Sequence, residues 1–394
     1  MHSNVTSSLA NSNMDVRQLQ SSTIDFLRFP LAIMVIFIHM NPAVVNLIDA
    51  DFPLLSGHGF FNIIGIVLSH VLTHIAVPTF FFISGFLFFL NFPVWSWEGY
   101  RKKMESRVKT LLVPYILWNI VTFTMFIIII WKHSGSMSDV FAMLQDKSWH
   151  VIYDYHEWGT TRINWLGENL KMTGPYDLPL WFLRDLIVVT ILTPIIYYAI
   201  KKMKIGIVVI LFLAYISRIW ILVPGFHITA FFYFTLGAYF ALNGKNIVLF
   251  VERFKFVFIP VSIILLISTT IYDGANTVIG QNIYPLFVCS CVFSAFYIAV
   301  VCIKKYHLKP NKLLVSSCFF IYAFHAASIP FFRICSPLAL SQRILHQLIP
   351  GQSGIENGIC YLTAPFLTAF LCIMILLVAR KFFPKLTLFF SGNK

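Results

Sequence analysis

Ile24-Asp-Phe-Leu-Arg28-Phe-Pro-Leu-Ala-Ile-Met-Val-Ile-Phe-Ile-His39 decides the reading of this chain. The stretch opens an apolar run over 24–46, long enough to cross the hydrocarbon core of a bilayer. It carries a guanidinium and an imidazole inside that run. Ionisable side chains at membrane depth lose hydration, so they tend to face a protein interior or a wet cavity. At about 100° per residue, eleven steps return a helix to within about 20° of its starting direction, so Arg28 and His39 share one face about 16 Å apart along the axis.

Outward from this run the pattern repeats. With 58% hydrophobic and 11% charged residues and a mean hydropathy of +0.79, the chain has too little polar surface to cover a soluble globule. Apolar runs fall at 24–46, 74–92, 110–131, 178–200, 205–223, 228–243, 256–272, 283–303, 313–336 and 357–379. Their length and continuity predict helices, since an outer-membrane barrel shows short alternating strands. The expected fold is therefore all-α: a polytopic bundle of about ten transmembrane helices.

The net charge of +13 is explained by where the cations lie. With the N-terminus in the cytosol, 20 of the 29 lysines and arginines fall in cytosolic segments, six in outer ones, counting Arg333 at the outer end of the 313–336 run, and three (Arg28, Arg184, Arg218) within spans. This positive-inside asymmetry puts both termini in the cytosol for ten spans. It points to membrane lipids and away from nucleic acid. Residues 1–23 are polar and read as a flexible cytosolic tail, 24–385 as the membrane domain with a large outer loop over 132–177, and 386–394 as a second cytosolic tail. The seven cysteines all follow residue 288 without paired CxxC spacing, so they read as buried small hydrophobes; only Cys335 and Cys360, which bracket the last outer loop, are candidates to pair in an oxidising compartment.

Four stretches together carry a resemblance. Arg28 and His39 match an arginine, ten residues, histidine motif. Val77-Pro-Thr-Phe-Phe-Phe-Ile-Ser84-Gly85-Phe86 looks like an aromatic, two residues, Ser-Gly-aromatic signature. Arg101-Lys-Lys-Met-Glu-Ser-Arg107-Val-Lys109 running into Pro114-Tyr115 is similar to a basic cytosolic loop that leads into the next span. Leu180-Trp181-Phe182-Leu183 resembles a fourth segment. In this order, with ten spans, they resemble the membrane acyltransferase 3 family over nearly the whole chain. That family attaches acetyl or other acyl groups to cell-envelope carbohydrates, and this chain resembles its stand-alone form without a fused soluble domain. The resemblance implies a multi-pass protein of the bacterial inner membrane, an acyl-CoA (acetyl-CoA) donor with no bound cofactor, and a glycan or lipid-linked glycan acceptor.

His39 has a chemical reading of its own. A neutral imidazole about 12 Å below the outer end of its span can take a proton from a sugar hydroxyl as that oxygen attacks a thioester carbonyl. The rival reading is a core histidine bonded to a neighbouring helix. Arg28 is a candidate for a phosphate or carbonyl of acyl-CoA, since its fork suits phosphate oxygens; a snorkelling anchor is the alternative, with Asp25 one turn away. Arg101, Lys102, Lys103, Arg107 and Lys109 are candidates for the nucleotide phosphates, or a topology signal facing lipid. Ser84 and Gly85 suit close passage of a pantetheine arm, or of another helix.

His325 reaches a depth similar to that of His39 and is expected to line the same cavity, with Trp181, Asp185 and Arg218, or to be structural. Arg184, Asp185 and Arg218 share one layer, which predicts an Asp185–Arg218 pair and leaves Arg184 to steady an oxyanion beside His39. Trp149, Tyr153, Trp158 and Trp165, interleaved with acidic residues in the outer loop, suit sugar rings, or an interfacial aromatic belt. His70 and His74 have the spacing of a metal pair but lack a third ligand, so no metal is expected. A carrier moving a glycan or lipid without chemistry is the competing class; broken spans or paired inverted halves are its marks, and the sequence shows neither.

Overall fold

The computed structural model describes residues 2–40, 63–147, 150–153, 155–163, 169–273, 278–327, 336–349 and 354–392. Helix α1, His2–His39, is 38 residues long and takes Pro30 within it. The polar segment expected as a tail is thus helical from residue 2 and continuous with the first span. Gln20 ties its cytosolic part to the bundle, its buried side-chain oxygen accepting from the Ile247 backbone at 2.7 Å.

Six helical stretches are long and apolar enough to cross a membrane: Val16–His39, Ile63–Leu90, Trp97–Met125, Ile247–Tyr272, Asn282–Tyr306 and Ile355–Phe382. A seventh pair, Leu178–Ile191 and Thr193–Met203, meets the same test together but bends by 61°. The single span expected over 178–200 is therefore two helices. Pro194 explains the break, because a proline lacks the N–H for the ladder and is tolerated in the first turn of a new helix. Three shorter apolar helices, Ile205–Ser217, Ile228–Leu242 and Lys312–Phe324, occupy the other expected positions.

The helices used below are α2 (Ala76–Leu90), α3 (Trp97–Arg107), α4 (Val113–Ser134), α5 (Met137–Lys147), α6 (Trp181–Ile191), α7 (Thr193–Met203), α8 (Ile205–Ser217), α9 (Ile228–Leu242), α10 (Ile247–Asp273), α11 (Val278–Tyr306), α12 (Lys312–Phe324), α13 (Pro337–Leu348), α14 (Gly354–Phe382) and α15 (Pro384–Phe390). The second span begins earlier than the apolar run suggested, with a π turn over Ile66–Val71 and a 3-10 turn over Leu72–Ile75 ahead of α2.

The fold also departs from an all-helical one. Within the outer loop, strands β1 (Tyr155–Ile163) and β2 (Asn169–Gly174) form an antiparallel hairpin. Hydropathy alone does not register such a hairpin, because its residues are mixed polar and aromatic.

Helix α1 occupies the centre, packing against α2, α10, α11, α12 and α14. Its apolar face, with Leu27, Leu31, Val35 and Ile36, is buried in the core. Helices α2 and α9 approach each other closely. A Cβ on Gly85 would fall on the Phe234 carbonyl and one on Gly237 on the Phe82 carbonyl, each far inside contact distance. Each glycine admits the other helix's backbone, the small-residue packing used inside membranes. Gly85 is thereby a helix-packing notch, and its side of α2 is occupied by α9, not by a pantetheine arm.

Candidate functional site

Helix α1 is unbroken between Arg28 and His39, so the shared face read from the sequence is retained. His39, however, is its last residue and not about 12 Å inside the outer end of the helix as the apolar run suggested. Met40, the next residue, is already outside the helix. The segment after it, 41–62, lies outside the described residues.

The end of α1 is held by the second span. Ser69 Oγ donates to the Phe37 carbonyl at 2.8 Å and reaches that of Met40 at 3.3 Å, and it also contacts the Tyr361 hydroxyl at 2.7 Å. Last-turn carbonyls that have no partner within a helix are satisfied in this way.

His39 meets His325, which follows α12. His325 Nε2 lies 3.3 Å from His39 Nδ1, and the rings meet edge to face with centroids 5.0 Å apart. His325 is sealed at 0% exposure while His39 keeps accessible surface. The surrounding acceptors assign the protons. His325 Nδ1 lies 3.0 Å and 2.9 Å from the carbonyls of Ile321 and Tyr322. A carbonyl only accepts, so Nδ1 carries the hydrogen and Nε2 is a lone-pair acceptor. His39 Nδ1 lies between the Val35 carbonyl at 2.9 Å and that acceptor. It too must carry a hydrogen, which leaves Nε2 of His39 as the basic nitrogen.

Arg28 pairs with Asp25 at 3.0 Å, one turn away, and remains 22% exposed. Of the basic loop, Arg101 and Lys102 make exposed i,i+4 pairs with Glu105 at 3.0 Å and Glu98 at 2.6 Å, of the kind that contribute little to stability. Lys103 and Arg107 lie over the Phe88 ring at 5.0 and 5.9 Å. Lys109 is exposed and Ser84 half-buried.

The buried charge layer is wired differently from the expectation. Asp185 Oδ1 accepts from Arg184 Nε at 3.0 Å, and Oδ2 lies 2.5 Å from His227 Nδ1. The expected Asp185–Arg218 pair is not among these contacts. The helix α8 stops at Ser217, and Arg218 takes the left-handed conformation at φ 56° just past it, so the residue caps a helix end and does not lie inside a span. Arg184 spends its other donors on the carbonyls of Tyr153 at 2.7 Å and Thr173 at 3.1 Å. Its guanidinium therefore fastens the outer segment to α6. His227 was missed in the sequence, although a polar residue immediately ahead of the apolar run 228–243 was a usable signal.

Tyr153 is structural as well, its hydroxyl donating to the Pro224 carbonyl at 2.6 Å. Trp158 lies on β1, and Trp149 and Trp165 fall outside the described residues. Asp177, at 1% exposure, is a second buried carboxylate near the polar residues of α4, and its backbone N–H donates to Asn119 Oδ1 at 3.3 Å. Burial holds its carboxyl well above the usual carboxylate range.

An apolar groove of about 220 Å³ lies between α8, α9 and α11, lined by Val208, Phe212, Phe232, Tyr233, Cys289 and neighbours. His325, Trp181, Asp185 and Arg218, expected to line a cavity, do not line this groove. Among the described residues, no group of three His, Cys, Asp or Glu could hold a metal. His74 instead meets the Tyr284 ring edge to face at 5.9 Å. Cys360 is buried, and Cys335 lies outside the described residues.

A family model described as an acyltransferase domain matches residues 22–379. The chain is also similar to a protein named succinoglycan biosynthesis protein ExoH from Rhizobium meliloti (strain 1021). The two are 23% identical over 388 residues, covering 95% of this chain and 92% of that protein. No solved structure matches the chain.

Proposed function

We propose, from the premise that the chain belongs to this acyltransferase family and is a membrane O-acyltransferase, that it moves an acetyl group from cytosolic acetyl-CoA to a hydroxyl of a cell-envelope polysaccharide or its lipid-linked precursor. The observation that carries this reading is the histidine pair at the end of α1, with Nε2 of His39 left as the basic nitrogen. The acceptor hydroxyl gives its proton to that nitrogen as its oxygen attacks the thioester carbonyl. The C–S bond then breaks, and the departing thiolate of CoA takes the proton back from the imidazolium. His325 Nε2 accepts from His39 Nδ1–H throughout, so the ring keeps one orientation as its charge changes.

Arg28, on the same face and nearer the cytosolic end of α1, holds a phosphate or the thioester carbonyl. Arg101, Lys102, Lys103, Arg107 and Lys109 gather the nucleotide end. In this reading the three short helices and the bent pair complete ten passes in a bacterial inner membrane, with both termini in the cytosol. The similarity to a protein of succinoglycan biosynthesis supports a polysaccharide acceptor.

The bend at Pro194 gives the carrier alternative its one feature, since broken spans occur in transporters. The family membership outweighs it, and one experiment separates the two. Inverted vesicles carrying the protein and envelope glycan inside are given labelled acetyl-CoA outside. Labelled, base-labile ester on the luminal glycan is the expected result, and unlabelled glycan overturns the proposal.

A further inference from the structure

Apart from the histidine pair, the described residues hold a second imidazole set against a buried carboxylate. His227 precedes α9, and its backbone carbonyl accepts from the N–H groups of Ala230 at 3.0 Å and Phe231 at 3.3 Å. Its Nδ1 is 2.5 Å from Asp185 Oδ2, and Asp185 is 0% exposed. A carboxylate oxygen accepts, so Nδ1 carries the hydrogen and Nε2 presents a lone pair. The Trp181 ring meets the imidazole edge to face at 5.0 Å.

The surroundings make this pair rigid. Arg184 grips the second oxygen of Asp185 and the backbone at Tyr153 and Thr173. The loop leading to His227 is locked by the Tyr153 hydroxyl on the Pro224 carbonyl at 2.6 Å and by Trp220 Nε1 on the Phe226 carbonyl at 2.7 Å. At Gly225, φ is +86° and a Cβ would stand 2.8 Å from the Tyr153 hydroxyl, so the loop closes on that ring with no space to spare.

Among the described residues, the indole N–H of Trp181, which only donates, and Nε2 of His227, which here accepts, make no hydrogen bond to the protein. Both rings are half-buried and keep accessible surface. A structural clamp needs only the Nδ1 side of the imidazole. An adjacent donor and acceptor on a fixed aromatic pair match a sugar, which offers hydroxyls of both senses and a C–H face for the indole. We infer that Trp181 and His227, set by Asp185 and Arg184, form a pyranose-binding subsite for the acceptor glycan. This deepens the proposed function and rests on it for the identity of the acceptor.

The test uses full-length protein in lipid nanodiscs and a panel of methyl glycosides of glucose, galactose, mannose and N-acetylglucosamine. Saturation-transfer NMR reads which sugar protons approach the protein. At least one glycoside is expected to be saturated at its ring C–H protons. Removing one hydrogen-bonding group, in His227→Ala or in Trp181→Phe, should weaken binding by about fivefold or more. His227→Gln, which keeps an acceptor, should retain more binding than His227→Ala. Should His227→Ala lower the unfolding temperature, Trp181→Phe, which keeps an aromatic ring in place, decides alone. No saturation of any glycoside, or unchanged binding in a variant that unfolds like the wild type, overturns the subsite. Acetyl transfer from labelled acetyl-CoA by the wild type is scored separately: its absence with glycoside binding intact sinks the catalytic reading and leaves the subsite standing.

Discussion

His325 Nε2 stands 3.3 Å from His39 Nδ1 with the rings edge to face, and the carbonyls of Val35, Ile321 and Tyr322 leave one arrangement of protons on the two rings. The buried ring thereby orients the accessible one.

His325 is accordingly a positioning residue. His325→Ala should lower kcat by about 10²-fold, the low end of what a well-placed base contributes, with much smaller changes in either KM. His325→Gln, whose side-chain oxygen can still accept from His39 Nδ1, should recover part of the loss. Steady-state kinetics of the three proteins decides the point; equal kcat in all three would show that His325 only fills space.

The glycine contact between α2 and α9 makes a stability prediction with no catalytic content. Gly85→Ala and Gly237→Ala each push a methyl group into a backbone carbonyl of the other helix, and should each destabilise by about 1–3 kcal/mol through overpacking. Thermal unfolding in detergent measures this. A wild-type melting temperature in both variants would contradict the close helix approach.

Asp185 is held by Arg184 and His227. Truncating one member of a buried ion pair costs about 3–5 kcal/mol because it strands the other charge, so Asp185→Ala should be among the most damaging changes in the chain. In double-mutant cycles the Asp185–Arg184 coupling should exceed the Asp185–Arg218 coupling. The reverse order would restore the pairing that the sequence suggested.

Asp177 predicts a pH dependence. Its carboxyl is held by burial well above the usual value of 3.8, so the folded chain keeps a proton that the unfolded chain releases. Where the native state binds more protons, stability falls as pH rises. This contribution is therefore fully present below 3.8 and is lost as pH climbs towards the raised folded value. Asp177→Asn should flatten the decline in melting temperature between acidic and neutral pH. An unchanged slope counts against a neutral Asp177.

Hydropathy made the helices legible, because a membrane demands long apolar runs and little else produces them. The Arg28–His39 face was legible for a related reason: a charge at that depth requires a partner or a purpose. Side-chain partnerships were much less so. Asp185 had two cations within reach by depth alone, Arg184 and Arg218, and only the end of α8 at Ser217 and the cap position of His227 decide its partners. Gly85 was visible as a small residue, but its counterpart Gly237 sits in a different span, and nothing local links the two. The break at Pro194 was visible as a proline, yet a proline at that position fits both a kinked span and a pair of helices.

The most direct test of the account is the rate of labelled acetyl transfer to envelope glycan by purified protein, with wild type and His39→Gln compared side by side at equal folded amounts. Loss of a general base of this kind predicts a fall of about 10²–10⁴-fold in kcat, with donor binding retained. Transfer at the wild-type rate by His39→Gln would remove the imidazole from the reaction and with it the proposed chemistry.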